Sequence, residues 1–237
     1  MKKFLDEGKL LLIAVPVLVW TLLPIYHLFV LSISNQESML AGKLWPDQPT
    51  LQNFQIVFKQ QHYYLTNFWL QLFNSFLIAI TTGLLTLFIA TCAALAISRP
   101  KAPGGRSIMN FALATYLIPA AILAIPMYKA MGTFGLLNTR TALILAMVAL
   151  ASPYAIWVLK QASDKLPKEL DEAAIMDGAT SLQLFRMVYL PLMKPSMVVI
   201  GIYALLLAWN EYLYAFLLLS SEKELPLAVG LGLFLSA

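Results

Sequence analysis

Five apolar runs, each about long enough to cross a bilayer, limit what this chain can fold into. They cover about residues 10–33, 72–97, 108–131, 141–160 and 195–219, and a sixth run occupies 225–237. A helix needs about 20 apolar residues to cross the hydrocarbon core. With no water there, every backbone polar group must be satisfied internally. Uninterrupted runs of this length indicate helices rather than strands. The expected fold is all-α: a polytopic integral membrane helical bundle, a single domain over 1–237 with about six transmembrane helices. The sixth run is too short to cross and reads as a truncated span.

Composition agrees with this reading. Hydrophobic residues make up 60% and charged residues 12%, against roughly 25% charged in soluble domains. A soluble chain this apolar would expose large patches and aggregate. The net charge of +4 does not point to nucleic acid, because the basic residues sit at span ends rather than on one face. Cys92 is the single cysteine, which excludes a disulfide framework within the chain. No cleavable signal peptide is expected, since the first apolar run outlasts a signal core and offers no small-residue cleavage site.

Basic residues set the orientation. With the N-terminus inside, Lys2, Lys3, Lys9, Arg99, Lys101, Arg106, Lys160, Lys165, Lys168, Arg186 and Lys194 are cytoplasmic. Only Lys43, Lys59, Lys129, Arg140 and Lys223 then lie outside. Eleven against five follows the positive-inside rule. Residues 35–70 form a polar, aromatic-rich segment whose rings suit the headgroup level. Residues 98–106 are a breaker-rich basic turn.

One long polar segment, 161–194, stands apart and lies on the cytoplasmic side in this orientation. It contains Asp171, Glu172, Ala173, Ala174, Ile175, Met176, Asp177, Gly178 and Ala179, followed later by Leu190 and Pro191. Glu and Ala favour a helix at its start. Gly178 then supplies a bend at no Cβ cost. A second helical pattern follows through Leu182, Phe185, Val188 and Tyr189. Pro191 cannot donate a backbone hydrogen bond, so it is expected to stop that helix before the fifth span.

Glu172-Ala173-Ala174, Gly178, Val188 and Leu190-Pro191 are spaced as in the EAA loop of permease subunits of binding-protein-dependent ABC importers. The chain resembles that family, and in particular its carbohydrate branch and the smaller maltose-type permease. Asn74-Ser75 and Trp209-Asn210-Glu211-Tyr212 add to the likeness. The resemblance implies that the chain forms half of a type I importer pathway in a bacterial or archaeal plasma (inner) membrane. The implied partners are a second homologous permease, two ABC ATPase subunits and an extracytoplasmic solute-binding protein. ATP and Mg2+ would be bound by the ATPase subunits and no cofactor by this chain. The implied cargo is a sugar or polyol. The alternatives are an importer for an amino acid, phosphate or polyamine, and an ion-coupled secondary transporter.

The physical character of the segment suits docking. Asp171, Glu172 and Asp177 could meet basic groups or backbone donors on a partner. Ala173 and Ala174 permit close approach. The competing picture is a helix pair lying on the bilayer, but such helices carry Lys and Arg on the polar face, and this one opens with carboxylates.

Polar residues within the spans leave more than one reading open. An acid deep in a span costs about 2.5 kcal/mol or more if it faces lipid. Glu211 and Asn210 are therefore expected either on the translocation pathway or as interhelical contacts. Asn74 and Ser75 suit helix packing or the pathway, and His27 suits a simple polar contact. Pro16, Pro24, Pro119 and Pro126 are expected to kink spans rather than break them. Gly83 and Ala90, Ala93, Ala94 and Ala96 suit close helix contacts. The sequence has no Gly-x-x-x-x-Gly-Lys-Ser/Thr loop and no metalloprotease or nucleophile-elbow pattern, so no catalytic residue and no metal site is expected.

Overall fold

A computed structural model describes residues 2–99 and 104–235, with the side chains of 2–11, 13 and 106 outside the description. Residues 100–103 of the basic turn, the last two residues of the sixth run, and the side chains of Lys2, Lys3, Lys9 and Arg106 therefore lie outside it. The chain divides into two compact units, one ending at Thr66 and one beginning at Asn67.

The first unit is built on α1 (Lys2–Ser32), whose stretch Ala14–Ser32 is long and apolar enough to cross a membrane. Pro16 and Pro24 lie inside it without ending it. His27 is exposed. Two short helices follow, α2 (Gln36–Leu40) and α3 (Gln52–Phe58). Asn35 starts α2 by accepting a hydrogen bond from the Ser38 amide, satisfying one of the free N–H groups of the first turn. Asn53 then donates to the carbonyls of Ser32 and Ser34, tying α3 back to the end of α1.

The second unit is a bundle around three long helices. These are α4 (Phe68–Ser98), α7 (Arg140–Asp164) and α10 (Leu190–Trp209). Between them lie α5 (Gly105–Ala114) and α6 (Ala120–Thr133) after α4, and α8 (Glu169–Met176) and α9 (Ser181–Leu184) after α7. The chain continues through α11 (Leu213–Leu218) and α12 (Leu227–Leu235). Among the described residues of both units, four helices meet the length and hydropathy of a span, α1 included, or five if a bent pair counts as one.

Lipid tails are as apolar as leucine, so packing of small residues rather than water exclusion holds such helices together. Ala90 and Ala94 on α4, Ala142, Ala146, Ala151 and Ala155 on α7, and Ala204 on α10 are all fully buried. Gly83 lies where an added Cβ would sit 3.5 Å from the Gly201 carbonyl oxygen, so α4 and α10 approach closely there. Ala93 is half-buried and Ala96 exposed.

The third apolar run is not the straight or merely kinked span expected from its sequence. Ser107–Leu117 and Ala120–Thr133 meet at 107°. Ile118 and Pro119 are extended at the corner (ψ 121° and 130°), and Pro119 precedes the first residue of α6. Pro disfavours α geometry in the residue before it, and Ile118 takes the extended alternative. Pro126, by contrast, sits inside α6 without ending it.

Candidate functional site

The segment 169–191 is assembled from local signals. α8 carries Glu169, Asp171 and Glu172 in its first turn, where carboxylates complement the helix dipole. It ends in a glycine-based cap. Gly178 has φ +78°, its N–H bonds to the Ile175 carbonyl, and the Ala179 N–H bonds to Ala174. This pair of bonds around a left-handed residue is the Schellman arrangement. Thr180 then starts α9 with a capping box: its side chain accepts from the Gln183 amide, and the Gln183 side chain accepts from the Thr180 amide. The Thr-x-x-Gln spacing is itself a readable sequence signal for this start, beside the apolar pattern that follows it.

Pro191 does not stop the helix that Thr180 starts. The helix runs without a break from Ser181 to Trp209. A π-turn at Phe185–Tyr189 immediately precedes α10, and Pro191 falls in the first turn of α10. The wider π spacing loosens the bonding ladder where the proline ring and its missing N–H would otherwise strain it.

The acidic residues of the segment face different ways. Glu172 and Asp177 are exposed, as is Ala173, while Ala174 and Ala179 are partly covered. Ile175 is 64% exposed and Met176 86%. Asp171 instead turns inward, and its Oδ2 accepts from Arg99 Nη1 at 3.0 Å.

Asn74 is fully buried near the start of α4. Its amide donates to the carbonyls of Lys223 and Leu225 at 2.8 and 3.0 Å, and its oxygen accepts from Arg140 at 3.1 Å. Arg140 also pairs with Glu224, and Ser75 accepts from the Leu227 amide. Asn138 accepts from the amides of Ser220 and Ser221. These bonds fasten the 219–227 connection across the ends of α4 and α7. The side chain of Asn74 is engaged within this chain.

Asn210 and Glu211 do not lie within a continuous helix. α10 ends at Trp209, and α11 begins at Leu213. Asn210 is exposed and donates to the Leu206 carbonyl. Glu211 is half-buried and accepts from the Tyr214 amide at 2.8 Å, which starts α11. Tyr214 in turn reaches Ala120, beside the other break. Near that bend, Tyr116 donates to the Leu150 carbonyl at 2.7 Å and shares a 3.1 Å hydrogen bond with Tyr203. Tyr154 packs against Tyr203 with ring centroids 4.9 Å apart.

Among the described residues, no group of three or more His, Cys, Asp or Glu side chains could hold a metal ion. The site thus consists of an exposed helix–glycine–helix element on a membrane bundle, which is the anatomy of a transport subunit. Residues 87–236 match the family of binding-protein-dependent transport system inner membrane components, and the chain belongs to it. It is a non-catalytic membrane subunit of an ABC transporter. It is 32% identical over 215 residues to the trehalose transport system permease protein SugB of Mycobacterium tuberculosis, covering 91% of this chain and 77% of that one. It is 30% identical over 213 residues to the trehalose/maltose transport system permease protein MalG of Thermococcus litoralis, covering 90% and 76%. It also resembles, at TM-score 0.78 and 26% identity, a crystal structure of a bacterial ABC transporter involved in the import of the acidic polysaccharide alginate. That likeness covers 96% of this chain and 78% of the other.

Proposed function

We propose that this chain is one of two homologous permease subunits of an ATP-driven sugar importer, and that residues 169–179 receive the motor's stroke. The exposure of Ile175 (64%) and Met176 (86%) on a helix that opens with carboxylates carries this reading. Exposed apolar side chains rimmed by charge mark contact surfaces. The occupant is an ABC ATPase subunit, with Glu172 and Asp177 meeting its basic or N–H groups. ATP and Mg2+ bind to the two ATPase subunits. The solute-binding protein delivers a sugar or polyol from the opposite side, and the bundle alternates its access between the two faces. The location is a bacterial or archaeal plasma membrane, with the N-terminus cytoplasmic as the basic residues favour. The names of the relatives support a carbohydrate cargo.

The test is co-purification of the tagged chain with its partners, followed by uptake in reconstituted vesicles. An ATPase subunit should accompany the chain, and labelled sugar should enter when ATP is supplied. Gly178→Leu should insert normally but hydrolyse ATP without uptake. Normal uptake by that variant removes the docking role, and uptake of amino acids or phosphate in place of sugars removes the cargo.

A further inference from the structure

Arg99 closes α4 at the edge of the bundle, and its guanidinium binds three elements besides its own. Nη1 donates to Asp171 Oδ2 on α8 at 3.0 Å. Nη2 donates to the carbonyls of Ser163 and Leu166, at 2.9 and 3.2 Å, where α7 ends. The guanidinium carbon lies 5.1 Å from the centre of the Tyr189 ring in the π-turn. The side chain is only 11% exposed and that of Asp171 only 19%. A cation at a helix C-terminus complements its free carbonyls and dipole, and a guanidinium can satisfy several acceptors in fixed directions. Tyr189 is itself buried, packed with Ala94, Leu159 and Met193.

The arrangement has a mechanical meaning. α8 has no buried residue, so its own packing does not fix it to the bundle. Short turns lead into it from α7 and out of it to α9, and turns can flex. The Arg99–Asp171 pair bridges past those turns to α4, α7 and the π-turn together.

We propose that Arg99 is a positioning residue for coupling: through Asp171 it makes α8 and the bundle move as one body. This rests on the reading of 169–179 as the motor contact. It also divides the acidic residues of that segment, with Asp171 serving the bundle and Glu172 and Asp177 facing the partner.

The complete transporter, with its second permease, ATPase subunits and binding protein, is reconstituted in vesicles, and sugar moved per ATP hydrolysed is measured. Arg99→Ala should lower that ratio by about tenfold, within the usual range of a coupling between sites. Asp171→Ala should lower it similarly, and the double variant should be no worse than either single one, because the two residues act through each other. Ser98→Ala, which removes the neighbouring bond to Asp164, should leave the ratio unchanged even if stability falls. If Arg99→Ala does not fold, Arg99→Lys takes its place; it keeps the charge without the fork and should lower the ratio by about threefold or more.

A wild-type ratio in whichever Arg99 variant folds overturns the proposal, as does an additive loss in the double variant or an equal loss in Ser98→Ala. Gly178→Leu separates this from the underlying reading. If it uncouples transport while the Arg99 variant does not, the motor contact stands and the role of Arg99 falls. If Gly178→Leu transports normally, the motor contact itself falls.

Discussion

The phenol of Tyr214 donates a 2.7 Å hydrogen bond to the carbonyl of Ala120, joining the two places where apolar runs of this chain break. Ala120 begins α6 just past the Pro119 corner, and Tyr214 lies in α11 just past the gap after Trp209. Tyr214 is 1% exposed. Tyr214→Phe keeps the ring and loses the bond, at a cost of about 0.6–1 kcal/mol on membrane-protein scales. An apparent melting temperature lower by about 1–4 °C in detergent is the expected reading. An unchanged melting curve would show that the two breaks are held by packing alone.

Asn74 fastens the 219–227 connection. Asn74→Ala leaves the buried Leu225 carbonyl without this donor and removes one acceptor from Arg140. Each buried polar group left unpaired costs about 1–3 kcal/mol. The connection should therefore open more often, and trypsin should cut after Lys223 about tenfold faster than in the parent chain. Equal cleavage rates would place the hold on this connection elsewhere, at Arg140–Glu224 or Asn138.

Two glycines should both lose stability on change to alanine, but for different reasons. At Gly178 an added Cβ meets nothing within 4 Å, but φ is +78°, so Gly178→Ala costs only the roughly 1–2 kcal/mol of a left-handed L-residue. At Gly230 the added Cβ would stand 2.0 Å from Gln71 Oε1. Gln71 is 5% exposed, so its amide would have to shift among packed neighbours, and overpacking of about 1–3 kcal/mol is expected. Gln71→Ser should restore most of the thermal stability lost in Gly230→Ala and none of that lost in Gly178→Ala.

The capping box makes its own prediction. Thr180→Ala removes the side-chain acceptor at the Gln183 amide, and loss of such a cap costs about 1 kcal/mol. Amide exchange at residues 181–184 should rise about fivefold, the equivalent of that energy. Exchange across the buried faces of α4 and α7 should stay unchanged.

The sequence made much of this legible. Span-length runs located α4, α7 and α10, and the Glu-Ala-Ala to Gly178 spacing marked the exposed helix and its turn. What it hid were outcomes decided by tertiary partners. Pro16, Pro24, Pro119 and Pro126 look alike along the chain, yet only Pro119 marks a corner. A proline frees a carbonyl and biases one neighbour; whether the chain then turns depends on what surrounds the gap, here Tyr214 reaching Ala120. Pro191 was expected to end a helix and does not, because the π-turn before it relieves the strain. Asp171 read as one of three equivalent acids, since nothing in its spacing reveals that Arg99, 72 positions earlier, waits for it.

The unbroken helix from Ser181 to Trp209 has the geometry of a connecting rod. Its 29 residues span about 43 Å at 1.5 Å per residue, so a displacement entering beside Thr180 reaches the Asn210 gap through one continuous helix. Apart from Pro195, which lies inside α10 and lacks a backbone N–H, the rod's compliant section is the π-turn at Phe185–Tyr189. Stiffening or removing it should change how far the far end swings, while the distance over which force is delivered stays the same.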